Sequence, residues 1–172
     1  AKIRVSFPLI NDSWYKILNS LNKSSPPEAI INSWWDFGDW FKAVANRKVI
    51  FDGQSQNTPQ GYWMANVLIT NDEETAINTL RMLNNGGNLA FETINQHLDN
   101  PLKSVLLLKK ILALDSGEAK KILEAGLPPS VTGEIIRLIF EPPRSQAYFI
   151  VDPTMLGKMN AISYLGNWDF LK

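Results

Sequence analysis

The chain contains no cysteine. Disulfides, thiolate catalysis and zinc–cysteine sites are therefore excluded. One histidine, His97, leaves no room for a His-rich metal site or for chemistry needing two imidazoles. An excess of either charge is missing too, since 17 basic and 17 acidic residues cancel. No basic field is offered to nucleic acid or to an anionic membrane surface. Long hydrophobic runs are absent: the longest candidate, around Val105 to Leu108, is bracketed by Lys103 and Lys109. Internal repeats and low-complexity segments are lacking. The opening residues, Ala1-Lys2-Ile3-Arg4, have no initiator methionine and no signal-peptide profile, and read as a cut inside a longer protein.

What is present is enough for one domain of 172 residues with a sizeable core. Trp14, Ile17, Leu18 and Leu21 predict a helix starting near Asn11 to Ser13 and stopped by Ser24-Ser25-Pro26-Pro27. Ala29-Ile30-Ile31 and Lys48 to Phe51 read as short strands, with a helix from Asp39 between them. Further helices are expected from Thr58-Pro59 to about Leu68, and from Thr70 or Asn71, with Asp72, Glu73 and Glu74 in the first turn, to Gly86-Gly87 with Ile77, Leu80 and Leu83 inward. Another is expected around Phe91 to Leu98, and one from Asn100-Pro101 to about Leu114. Two more are expected behind caps at Ser116 and Ser130. Ala147 to Val151 is the best strand, and Asp152-Pro153 opens a last long helix to about Leu165. The class is mainly α (α-rich α+β), a compact helical domain with a few short strands and no alternating βαβ sheet. The gap between Gly87 and Pro101 is the only candidate subdomain seam.

The stretch Trp34-Trp35-Asp36-Phe37-Gly38 concentrates chemistry. Two indole donors, one carboxylate acceptor and apolar walls suit a small pocket gripping a hydroxyl or an amide. The competing reading is a core tryptophan pair with Asp36 capping a helix. In the last helix Asp152, Met155, Lys158 and Ile162 fall within an arc of roughly 120°. Taken singly, they are a cap, two core residues and a snorkelling lysine.

Other candidates are weaker. Asp36 and Asp39 do not control a carboxyl separation of the kind glycosidases need. His97 has no local acid or nucleophile to complete a triad. Gly86-Gly87 lacks the Lys-Ser/Thr pair of a phosphate loop, and Asp72, Glu73 and Glu74 compensate a helix dipole. Asn11-Asp12-Ser13 and Asn22-Lys23-Ser24 match the N-glycosylation acceptor pattern, which is compatible with an extracytoplasmic domain.

Residues Ser33 to Trp40 resemble the WWDYG motif region of the catalytic subunit of oligosaccharyltransferase, the enzyme of asparagine-linked glycosylation. Asn46-Arg47, Phe51-Asp52-Gly53 and Asn57-Thr58-Pro59-Gln60 through Trp63 extend the resemblance to archaeal members. Asp152-x-x-Met155-x-x-Lys158-x-x-x-Ile162 resembles the family's second motif. The whole chain is similar to the C-terminal globular domain of an archaeal single-subunit enzyme of the short type.

The resemblance implies a transferase that moves a lipid-linked oligosaccharide onto the Asn of Asn-x-Ser/Thr in an acceptor polypeptide, with no nucleic acid partner. It implies a multi-span membrane domain upstream of residues 1–172, which holds Mn²⁺ or Mg²⁺. The present domain, on the extracytoplasmic face of the cell membrane, would carry no catalytic residue and no metal ligand, and would be inactive by itself. Trp34, Trp35 and Asp36 would bind the Ser/Thr hydroxyl, with Lys158 and Ile162 lining the same pocket and Phe37, Gly38, Asp152 and Met155 supporting the motifs. Ile162 against the Thr methyl would favour Thr over Ser by about 0.8 kcal/mol. Two departures stand out: Phe37 replaces the usual Tyr, and Lys158 lies six residues after Asp152 where many relatives have D-x-x-K. An alternative is a non-catalytic peptide- or carbohydrate-binding module using Trp34 and Trp35 as a stacking platform. A third is a helical interaction domain in which all these residues are core.

Overall fold

Three short strands frame the chain. The computed structural model describes residues 10–171; the opening residues read above as a cut end lie outside the described residues. Ile30–Asn32 (β1), Lys48–Val49 (β2) and Ala147–Phe149 (β3) form one parallel sheet in the order β2-β1-β3. β1 is buried along its length, as a central parallel strand covered on both faces must be. Its crossover to β2 runs through a 3-10 turn, Trp35–Phe37, and the helix Gly38–Ala43 (α2).

The helix Asp12–Ser24 (α1) precedes β1. Between β2 and β3 come Gln60–Ile69 (α3), Glu73–Gly86 (α4), Leu89–Leu98 (α5), Pro101–Leu112 (α6), Ser116–Glu124 (α7) and Pro129–Phe140 (α8). After β3 a second 3-10 segment, Pro153–Lys158, leads into Met159–Gly166 (α9). The helix-rich α+β class is as expected. The sheet holds one small parallel crossover, β1-α2-β2, since parallel neighbours cannot be joined by a tight turn.

Side-chain caps set several helix starts. Asn11, Asp72 and Asn100 accept from Trp14 N, Glu74 N and Lys103 N. Ser116 and Ser130 are not caps: Asp115 accepts from Gly117 N and Glu118 N, and Ser130 lies inside α8. Two predicted faces also shift. Ile17 and Ile77 are exposed; Leu83 is buried as expected, and α4 buries Asn78, Thr79 and Met82 beside it. Asn78 earns its place by donating to Leu112 O and Leu114 O, carbonyls at and just beyond the end of α6. The expected seam is filled by α5, which packs on α6 and α8.

Two apolar clusters result. The larger joins α3 to α9, and Gly166 lets α9 press on the α3 backbone. A Cβ there would lie 2.7 Å from Ile69 Cδ1 and 2.8 Å from Ala65 C. The smaller cluster, Leu18, Ile31, Phe37, Phe41 and Ala45, lies between α1, β1 and α2. Arg47, buried before β2, ties it together. It donates to Ser25 Oγ and to the carbonyls of Asn22, Ser25, Ala45 and Asn46.

Candidate functional site

Register brings the two motifs together. Asn32 pairs with Phe149 across β1 and β3, and the ladder continues one step beyond the strands. Ile150 N donates to Asn32 O at 2.9 Å, and Ser33 Oγ donates to Ile150 O at 2.8 Å, across 117 residues of chain. The chain leaving β1 therefore becomes Trp34–Gly38 beside the chain leaving β3, which becomes Asp152–Ile162. In open parallel sheets, ligand crevices lie outside the carboxyl ends of strands whose connections run to opposite sides. β1 connects towards β2 on one flank, while β3 sits on the other.

The last segment is not one α-helix. From Pro153 to Lys158 it is 3-10, and only from Met159 is it α. With three residues per turn, Asp152, Met155 and Lys158 form a single row. Asp152 caps this row by accepting from Thr154 N at 2.8 Å, and Met155 is buried beneath it. Leu156, which an α-helix would place above Asp152, is 75% exposed. The six-residue interval to Lys158 thus amounts to two complete 3-10 turns.

Lys158 Nζ lies 2.8 Å from Asp36 Oδ2. Both side chains are partly covered, with 31% and 18% of their surfaces still reached by solvent. Oδ2 is enclosed, whereas Oδ1 is not, and Oδ1 accepts no hydrogen bond among the described residues. The Lys158 ammonium also stands 5.7 Å from the centre of the Phe37 ring, so that ring serves as a cation platform without a hydroxyl.

The other motif residues divide between the two clusters. Trp34 is 3% exposed in the larger one, edge-on to Phe51 at 5.2 Å. Phe37 is buried in the smaller one, against Trp14. Trp35 is partly buried beside the larger cluster. Asp36 therefore sits where the clusters adjoin. A stacking platform needs two open indole faces, and Trp34 offers none. The third reading, all core, fits Trp34 and Phe37 but not the solvent-reached Asp36 and Lys158. Ile162 is fully buried inside the larger cluster, so it is packing and does not present a surface to an acceptor methyl.

Sequence reasoning missed the support on the far side of the motif. Lys42 Nζ lies 2.6 Å from Asp52 Oδ2 and 3.0 Å from Asp39 Oδ1. Asp52 Oδ1 in turn accepts from Gln54 N, Ser55 N and Ser55 Oγ. The signals were the turn pair Asp52-Gly53 and the lysine three residues after Asp39. Partial burial pushes the Asp52 carboxyl up, but bonds from Lys42 and Ser55 outweigh it and hold it below its ordinary 3.8. Hydrogen bonds to Asp52 and then Asp39 raise Lys42 above its ordinary 10.5.

A carboxyl depressed by folding stabilises above its unfolded value, and that gain is lost as pH falls through the folded value. A raised ammonium stabilises below its unfolded value, and the gain is lost as pH rises through the folded one. Between these limits the urea midpoint is expected to be flat as far as this cluster contributes. In Lys42→Met the acid-side fall should be smaller, because the Asp52 carboxyl then lies nearer its unfolded value. The difference should be under about 1 kcal/mol, because the pair is partly solvent-screened.

The family model described as the STT3/PglB/AglB core domain matches residues 27–172. The chain belongs to that family. It is 31% identical over 171 residues to a dolichyl-phosphooligosaccharide-protein glycotransferase of Methanococcus voltae, covering 96% of this chain and 19% of that protein. A protein of the same name from Methanocaldococcus jannaschii is 30% identical over 169 residues, covering 95% and 18%. The chain thus spans about a fifth of the length of these relatives. The crystal structure of the C. jejuni PglB C-terminal domain has the same fold at a TM-score of 0.52 and 16% identity, covering 88% of this chain and 52% of that one.

The Mn²⁺ or Mg²⁺ that the resemblance implies does not fit the residues present. Among the described residues, no three His, Asp or Glu side chains gather around one point. Nor, among them, is any helix long and apolar enough to cross a membrane.

Proposed function

We propose that the Asp36–Lys158 junction reads the hydroxyl of an Asn-x-Ser/Thr acceptor for an oligosaccharyltransferase of which this chain is the C-terminal globular domain. The observation that carries the reading is the division of labour on one carboxylate. Lys158 holds Oδ2, and Oδ1 remains open to accept a hydroxyl proton. Lys158 also orients Asp36, and a hydroxyl bonded to a carboxylate is charge-assisted, which sharpens rejection of acceptors lacking the hydroxyl. Trp35 flanks the carboxylate as a partly covered wall, while Trp34 and Phe37 anchor the turn from below.

In this reading the reaction occurs elsewhere in the full-length protein. The names of the relatives support a membrane enzyme that takes a lipid-linked oligosaccharide and glycosylates protein. Its multi-span membrane portion and divalent metal lie upstream, and the present domain faces the extracytoplasmic side. The isolated chain is then inert but selective. The test compares acceptor peptides Asn-x-Thr, Asn-x-Ser and Asn-x-Ala with the full-length enzyme. Transfer to the first two and not the third is expected, and equal use of all three sinks the reading.

A further inference from the structure

We infer that Lys42 is a positioning residue for the Asp36 carboxylate, acting through the Asp52 turn; the inference rests on the reading of Asp36 given above. Among the described residues, Asp36 is held directly from one side only, by Lys158. Its backbone belongs to the short 3-10 turn Trp35–Phe37, which has no side-chain cap of its own. A three-residue turn of this kind does not hold a carboxylate in place unless something braces its exit.

The brace is the contact between Gly38 and Asp52. A Cβ on Gly38 would lie 2.5 Å from Asp52 Cβ, 2.8 Å from Asp52 Cα and 2.9 Å from Phe51 O. The backbone two residues after Asp36 is therefore pressed against the backbone at Asp52. A Cβ on Gly53 would lie 3.3 Å from Asp39 Oδ2, so the same two segments touch again one residue further on in each. Asp52 is itself fixed, because its Oδ1 gathers two amides and a hydroxyl from its own turn.

Lys42 locks the two halves. It lies on α2, the helix that continues directly from the motif, and its ammonium bridges Asp39 on that helix to Asp52 on the facing turn. Without it, two carboxylates face each other across the contact and repel. The gap at Gly38 would then widen, and Asp36 would swing relative to Lys158. Among the described residues Lys42 bonds to Asp52 and Asp39 and to neither Asp36 nor Lys158, so its effect is one of placement.

The test uses the full-length enzyme with Lys42→Met and Lys42→Arg. For Lys42→Met, the KM for an Asn-x-Thr peptide should rise about three- to fivefold, with kcat within about twofold. Lys42→Arg should restore KM, because a guanidinium can bridge both carboxylates. Hydrogen exchange should quicken several-fold in a peptide spanning residues 33–41 of Lys42→Met, and stay unchanged in α6. Unchanged KM and unchanged exchange would overturn the inference. So would a uniform rise in exchange across the domain that Lys42→Arg fails to rescue, since that marks a merely structural residue. The exchange measurement needs no acceptor, so quickened exchange at 33–41 alongside normal transfer by Asp36→Ala would retain the brace and discard the role given to Asp36.

Discussion

Replacing Asp36 by alanine in the full-length enzyme is expected to lower transfer to an Asn-x-Thr acceptor by roughly 10- to 100-fold. A hydrogen bond to a charged group contributes about 1.5–3 kcal/mol, which converts to that range. The loss should fall on discrimination: residual activity should no longer distinguish Asn-x-Thr from Asn-x-Ala peptides. Asp36→Asn separates charge from shape. It keeps an acceptor oxygen but gives up the ion pair with Lys158, so an intermediate loss is expected. Competition assays with paired acceptor peptides measure both. If the alanine variant still prefers the hydroxyl acceptor as strongly as wild type, the hydroxyl is read elsewhere.

Ile162→Ala is expected to act on folding. The side chain is fully buried in the larger cluster, on the helix that packs against α3. Truncating a buried isoleucine costs about 2–5 kcal/mol, because the lost transfer energy is joined by that of the cavity left behind. Gly166, one turn further along α9, holds that helix against the Ala65 backbone and restricts its ability to collapse into the gap. The upper half of the range is therefore expected, read as a lower urea midpoint at unchanged slope. The Thr/Ser ratio should stay as in wild type, because Ile162 is buried away from the acceptor and a ratio does not depend on how much of the protein is folded. A variant of wild-type stability with an altered Thr/Ser ratio would show instead that Ile162 reaches the acceptor.

The parts of this architecture that were legible in the sequence are those with local causes. Asn11 and Asn100 announced helix starts because a cap is a contact between near neighbours, whereas Asp72, expected inside the first turn, is itself the cap. The two motifs were visible because their residue types are unusual at their spacing. What escaped had distant causes. Nothing near Ile77 or Asn78 says that carbonyls at the end of α6 need a donor, yet that need turns α4 so that Asn78 faces inward. Parallel pairing of β1 with β3 depends on strands too short to advertise their partners. The 3-10 stretch from Pro153 to Lys158 was read as α because Asp152-Pro153 opens either kind of helix, and only the exposure of Leu156 reveals the tighter winding.

That tighter winding makes the spacing between Asp152 and Lys158 a ruler graduated in threes. Each inserted or deleted residue turns the lysine by about 120° about the axis, away from the carboxylate it serves, while a step of three restores its direction and changes only its reach by about 6 Å. A natural D-x-x-K segment is one graduation shorter than the D-x-x-M-x-x-K segment here. The two versions aim an ammonium along the same line from different heights, so exchanging them calls for a matching change in how far the tryptophan-bearing turn stands from the strand ends.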